Sequence, residues 1–139
     1  MVKRIVVPVD LTDTHGRALE IAAALAVPGG GQVTLLHVVE VIAGLSQQEG
    51  KDFYGRLEKK AREYLARLAA TLAARQVACQ AEVVFGNRAA EVVRYAQQHG
   101  SDLIVLTSHR IDPAQGLANF GTLSHKVGIL APCPVLLVK

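Results

Sequence analysis

Apolar residues in this chain fall into five short runs, and the stretches between them repeat at three and four residues. Ile5-Val6-Val7-Pro8-Val9, Val33–Val39, Leu103–Leu106 and Val135–Val138 are nearly continuous, as in strands covered on both faces. Cys79–Phe85 instead alternates and carries Gln80 and Glu82, the pattern of an edge strand with one wet side. Thr12-Asp13-Thr14 offers N-caps for a helix running to about Val27, with Leu19, Ala22, Ala23 and Ala26 on one stripe. Pro28-Gly29-Gly30-Gly31 stops it; glycines that follow a helix form a C-terminal turn, not a phosphate loop. A long helix from about Ser46 to Gln76 turns Phe53, Leu57, Ala61, Leu65, Leu68 and Leu72 inward. Gly86-Asn87 leads into a helix whose face is Ala89, Val92, Val93 and Ala96 and which Gly100 ends. A last helix runs from Gly121 to about Leu130.

Strands that alternate with helices predict a single doubly wound α/β domain, residues 1–139, with a five-stranded parallel sheet and helices on both faces. The expected strand order is 3-2-1-4-5. Its switch point lies between strands 1 and 4, where ligands bind beyond the carboxyl ends. Those ends carry Asp10 and the segment from Thr107 to Thr122. The segment closes on Gly121-Thr122-Leu123-Ser124, where glycine and hydroxyl residues open a helix. Glycine lets an anion approach the backbone, and the free N–H groups and dipole of the helix start favour negative charge.

Composition narrows the picture. Of 139 residues half are hydrophobic and 19% charged, and with no Trp, three Phe and three Tyr the core must be aliphatic. The net charge of +3 is mild, and the densest charges, Lys51–Arg75, mix both signs at helical spacing, as on a solvated helix face. A nucleic-acid groove would need a stripe of one sign with stacking aromatics, so no nucleic-acid partner is expected. Met1-Val2-Lys3-Arg4 ahead of a short apolar run that Asp10 ends is too little for a secretion signal, and no segment reaches the length of a membrane span. A cytoplasmic protein without a membrane partner is expected. Cys79 and Cys133 read as two buried small hydrophobes at opposite sheet edges, where an intramolecular disulfide is geometrically excluded.

The candidate chemistry is sparse. Asp10 could accept hydrogen bonds from ribose or adenine, or could act with Thr12 as a helix cap. A phospho-receiver would carry its acceptor Asp at the end of strand 3, where this chain has Val84-Phe85-Gly86. Gly-x-Gly-x-x-Gly after strand 1 and Gly-Lys-Ser/Thr are both missing. His37 reads as a core or pocket-lining histidine, and His109 and His125 lack partners at metal spacing, so no metal site is expected. Ser108, His109 and Asp112 are neighbours in one loop without a nucleophile elbow and make no triad.

Ile5-Val6-Val7-Pro8-Val9-Asp10, Leu35-Leu36-His37-Val38, Gly86-Asn87-Arg88-Ala89-Ala90-Glu91-Val92-Val93, Ser101-Asp102-Leu103-Ile104-Val105 and Ala131-Pro132-Cys133-Pro134-Val135-Leu136-Leu137-Val138 together resemble the universal stress proteins of the UspA family over essentially the whole chain. The resemblance implies the 3-2-1-4-5 sheet and homodimers that pair through the last strand, here Val135, Leu136, Leu137 and Val138. In one branch of the family it also implies ATP in the crevice between strands 1 and 4. That branch carries Gly-x-x-Gly, nine residues, then Gly-Ser/Thr; here Thr107 and Arg110 stand at the first two glycine positions, ten residues follow, and Gly121-Thr122 is intact. Thr107 brings a Cβ where backbone would meet ribose, and Arg110 fills space beside the phosphates, although its guanidinium can pair with them. Asp10, Val38, Gly121, Thr122 and Ser124 match the family's contacts, Val38 through its backbone to adenine and Gly121 to Ser124 to phosphate. The site implied is thus Pro8, Val9, Asp10, Val38, Thr107, Arg110, Gly121, Thr122, Leu123 and Ser124. The expected protein is a dimeric stress-response regulator that binds ATP or AMP, with Mg only if the nucleotide carries it. No base or in-line lysine is evident, so it is not expected to be an enzyme, and any ATP hydrolysis would be slow and incidental. The alternative is a nucleotide-free dimeric interaction module, with Arg110 and the longer loop closing the pocket.

Overall fold

The computed structural model describes residues 2–108 and 123–139. In chain order the elements are β1 (Arg4–Pro8), α1 (Gly16–Ala26), β2 (Gln32–Glu40), α2 (Lys51–Ala74), β3 (Ala78–Gly86), α3 (Arg88–Gln98), β4 (Leu103–Thr107), α4 (Leu123–Leu130) and β5 (Val135–Val138). The five strands form one parallel sheet in the order β3-β2-β1-β4-β5, as expected from the alternation of strand and helix.

Successive side chains of a strand leave on opposite faces, and the sheet uses both. Ile5, Val7, Val33, Leu35 and Val105 pack under α1 and α2, against Ala22, Ala23, Ala26, Ala61, Leu65 and Leu72. Val6, Leu36, Val38, Ile104 and Leu106 pack under α3 and α4, against Ala89, Val92, Tyr95, Ala96 and Val127. The small residues of α1 let its backbone lie close on the sheet. The edge strand β3 is only partly covered, and its Gln80 is exposed.

Three helix expectations need correction. Helix α1 starts at Gly16 with His15 as its capping position, and no side chain caps it. Thr12, Asp13 and Thr14 belong to the loop before it, because Asp10 engages Thr12 instead. Helix α2 starts at Lys51; Ser46 caps a separate turn, its hydroxyl accepting from the Glu49 N–H at 3.1 Å. Tyr54 is the aromatic residue that α2 buries, while Phe53, Leu57 and Leu68 sit at the core margin. Its hydroxyl donates to the Leu45 carbonyl at 2.7 Å and accepts from the Ile42 N–H at 2.9 Å, so it latches the loop after β2. At α3 the expected start after Gly86-Asn87 holds, and the Asn87 side chain caps the helix by accepting from the Ala90 N–H, but on its inner face Tyr95 is buried with Ala89, Val92 and Ala96 while Val93 is only half-buried. Gly86 before the helix has φ +147°, a backbone conformation that strains any other residue, so glycine is favoured there.

Asp102 stitches the two halves of the sheet at its amino end. Its carboxylate accepts from the Lys3 and Arg4 N–H groups at 2.9 and 2.8 Å, and those bonds hold its pKa below the ordinary value. Cys79 and Cys133 are free and half-buried, not fully buried, because both lie with edge strands. Burial pushes both thiols up. Among the described residues no helix is long and apolar enough to cross a membrane, and no three His, Cys, Asp or Glu side chains gather as metal ligands.

Candidate functional site

Strand β1 stops at Pro8, opposite Leu36, while β2 and β3 run on together to Glu40 and Gly86. The stretch His37–Glu40 therefore has a neighbour on the β3 side and none in register on the β1 side. Parity decides which groups face the gap. The Val9 N–H donates to the Leu36 carbonyl at 2.9 Å, so Leu36 points its backbone toward β1, and the Val41 N–H reaches the Gly86 carbonyl on the β3 side. With a period of two, the N–H and C=O of Val38 turn toward β1, one step past where it has ended. The Val38 side chain meanwhile stays buried in the core under α3.

His37 fixes the end of β1. Its Nδ1–H donates to the Val9 carbonyl at 2.8 Å in a buried setting, so it serves as a structural histidine. Asp10 follows, and its Oδ1 is crowded. It accepts from the Thr12 N–H at 3.0 Å, from the Thr12 hydroxyl at 2.5 Å and from His15 Nε2 at 2.7 Å. The close approach to a carboxylate oxygen requires Nε2 to carry the hydrogen, so the 3.1 Å contact of the Asp10 N–H with the same nitrogen is not a second hydrogen bond. Asp10 Oδ2 accepts from none of the described residues. Burial raises the Asp10 pKa, but the Thr12 hydroxyl, His15 and the Thr12 N–H outweigh it and lower the carboxyl from 3.8 to about 2. Asp10 is a fixed anion with one oxygen locked and one open.

His15 carries the arrangement across the switch point. The residue is only 5% exposed, and the other ring nitrogen, Nδ1, lies 2.9 Å from the Thr107 hydroxyl at the end of β4. A chain of hydrogen bonds, Asp10–His15–Thr107, thus links the ends of β1 and β4 through the first residue before α1. The Tyr64 hydroxyl of α2 donates to the Thr12 carbonyl and closes the loop from the other side. Burial, then the charges of Asp10 and Asp13, push the Tyr64 hydroxyl pKa up. Ser108, next to Thr107, is buried; its N–H donates to the Val138 carbonyl at 2.7 Å and its hydroxyl accepts from Lys139 Nζ at 3.4 Å.

Pro8, Val9, Asp10, Val38 and Thr107 are therefore gathered at the carboxyl ends of three adjacent strands. Leu123 and Ser124 lie in the first turn of α4, both half-buried. Arg110, Gly121 and Thr122 lie outside the described residues. His15 escaped the sequence reading. It sits in a loop without periodicity, and its only sequence signal is an imidazole between a strand-end acid and a helix start.

The sequence pattern of the universal stress protein family matches residues 1–139, the full chain. The chain belongs to that family. Universal stress protein YxiE of Bacillus subtilis (strain 168) is 28% identical over 151 aligned positions, covering 100% of both chains. Among solved structures, the universal stress protein UspA of Lactobacillus plantarum superposes with a TM-score of 0.79 at 22% identity, covering 100% of this chain and 99% of its own. A universal stress protein from Archaeoglobus fulgidus, solved in complex with dAMP, gives a TM-score of 0.74 at 20% identity, with both chains covered completely. In this universal stress protein the Asp10–His15–Thr107 link occupies the crevice wall at the switch point of the shared fold.

Proposed function

We propose that this universal stress protein binds an adenine nucleotide, ATP or AMP, in the crevice between β1 and β4, and acts as a dimeric cytoplasmic regulator in a stress response. The observation that carries the reading is the open backbone edge of Val38 beside the open Oδ2 of Asp10. An N–H and a C=O side by side match the donor and acceptor edge of adenine, and a carboxylate oxygen accepts from ribose hydroxyls. Pro8 and Val9 supply the β1 wall and Thr107 the β4 wall. Leu123 and Ser124 in the first turn of α4, with Gly121 and Thr122 just before them in the sequence, suit phosphate, because a helix start favours an anion. Arg110 is the cation for the phosphates, and magnesium enters only with the nucleotide. The dAMP held by the Archaeoglobus relative supports this ligand class. Calorimetry with ATP and AMP tests it: Gly121→Val abolishes binding while the domain stays folded, and an unchanged affinity in that variant rejects the site.

Dimerisation through β5 is supported by its place at the edge of the sheet and by its exposed apolar residues. Leu136 and Leu137 are 38% and 41% exposed, and Ile129 and Leu130 of α4 add 67% and 59%. A bare apolar edge strand invites pairing, and a two-fold axis makes that pairing self-complementary. The second reading, a nucleotide-free dimeric interaction module, is favoured by the Thr107–His15 bond, which ties the end of β4 to the residue before α1 through protein groups alone. A wild type that binds no ATP at millimolar concentration decides for it.

A further inference from the structure

At the opposite end of the sheet lies a cavity of about 580 Å³, between the amino ends of β1, β2 and β3 and the last turn of α3. That volume is in the usual range for small-molecule sites. Its floor breaks the apolar pattern of the α3 face. Thr34 and Gln80 are register partners on adjacent strands, and Tyr95 comes down on them from α3. Thr34 and Tyr95 are each only 6% exposed. One amide nitrogen, Gln80 Nε2, donates to both hydroxyl oxygens, at 3.2 Å to Thr34 and 3.3 Å to Tyr95.

That sharing leaves unused capacity. Each hydroxyl accepts from the amide, and neither donates to any of the described residues, so two O–H donors remain. Gln80 Oε1 remains as an acceptor beside them. Above this floor Tyr95 stacks on His99, ring centroids 3.8 Å apart and 17° from parallel, which gives the wall a flat face. Gln32, Gln97 and Gln98 bring further amides to the rim.

The charges select the ligand. No carboxylate lines the cavity and Arg4 does, which disfavours a cation. An anion is disfavoured as well. The carboxyl end of α3 brings its partial negative charge here, and Arg4 Nη1 is already directed at the His99 carbonyl, at 3.3 Å. Groups that donate and accept without charge, set beside a flat ring face, match a molecule rich in hydroxyls.

We propose that this cavity is a second binding site, separate from the crevice, for a small neutral polyhydroxylated molecule, a sugar or cyclic polyol. Ring hydroxyls accept from Thr34 and Tyr95 and donate to Gln80 Oε1, and the C–H face of the ring packs on the Tyr95–His99 stack.

Backbone amide NMR of the full chain, titrated with D-glucose and with myo-inositol up to about 50 mM to cover millimolar Kd values, reads the site directly. The expected result is saturable shifts at Thr34, Gln80, Tyr95 and His99 with at least one probe. Thr34→Val and Tyr95→Phe, each nearly isosteric, weaken that binding about tenfold while the rest of the spectrum and the ATP titration stay as in the wild type. Three results overturn the proposal: no saturable shift at these residues with either probe, shifts that survive unchanged in both variants, or equal or tighter saturation by acetate or methylammonium. Because the wild-type titration alone can reject it, a poorly folding variant does not shield it.

Discussion

His15→Ala removes the ring that joins Asp10 to Thr107, and the structure sets the size of the loss. A hydrogen bond to a charged group contributes about 1.5–3 kcal/mol. The Asp10 side chain is 32% exposed, so solvent screening puts its share at the lower end. The neutral bond to Thr107 adds about 1 kcal/mol. The expected destabilisation at neutral pH is therefore roughly 2–3 kcal/mol, a drop of about 8–12 °C in Tm for a domain of this size. Urea unfolding followed by circular dichroism measures it, with an unchanged slope expected because the surface exposed is the same. The pH dependence gives a second handle. The folded Asp10 carboxyl is depressed to about 2 from 3.8, so its stabilisation is present above 3.8 and is lost as pH falls toward 2. Without His15 the carboxyl returns part of the way toward 3.8, with the Thr12 bonds still holding it down. The stability gap between wild type and variant therefore narrows through that acid window. A double-mutant cycle with Thr107→Val should return a coupling of about 1 kcal/mol. A loss under about 0.5 kcal/mol, the size of an ordinary surface change, or a gap that stays constant from neutral pH to pH 2, refutes the bridge.

Arg110→Ala weakens ATP binding by roughly 1.5–3 kcal/mol if the guanidinium meets phosphate, and strengthens it if Arg110 plugs the pocket; calorimetry reads either sign, and a change within about 0.5 kcal/mol rejects both roles. Leu137→Asp sets a carboxylate in the β5 seam and shifts a dimer to monomer in light scattering; a wild-type monomer of 14.8 kDa at working concentration disposes of the seam itself. Tyr54→Phe leaves the Ile42 N–H and the Leu45 carbonyl without their partner and costs about 1–3 kcal/mol in urea unfolding. A loss near zero would mean that water replaces both bonds.

Much of the fold was legible because it rests on periodicity. Continuous β-branched runs such as Ile5–Val9 mark strands covered twice, and the spacing of Ala89, Val92 and Ala96 marks the face of a helix. Where local chemistry competes with periodicity the reading slipped. Thr12 and Asp13 look like helix caps, but Asp10 captures the Thr12 N–H first and delays α1 to Gly16. Tyr54, one position from the expected Phe53, is buried because its hydroxyl finds two backbone partners, which no spacing rule encodes. The crevice residues on strand ends were legible because topology alone brings them together. The part of His15 was not, since a loop residue five positions from its partner follows no repeat.

The gap beyond Pro8 also has a consequence for the order in which the molecule assembles during synthesis. Strands β1, β2 and β3 are joined by consecutive crossovers within residues 4–86, so that part of the sheet is complete in the chain before β4 is synthesised. The free edge of β1 then waits for β4, which enters beside it about one hundred residues later in the chain and is stitched in place through Asp102 and the amides of Lys3 and Arg4. The seam between the early and the late half runs through the crevice. The Thr107 hydroxyl reaches His15 only once both halves have met. A molecule held there grips the two halves at once, so its binding energy opposes the parting of the seam before it opposes the unravelling of either half.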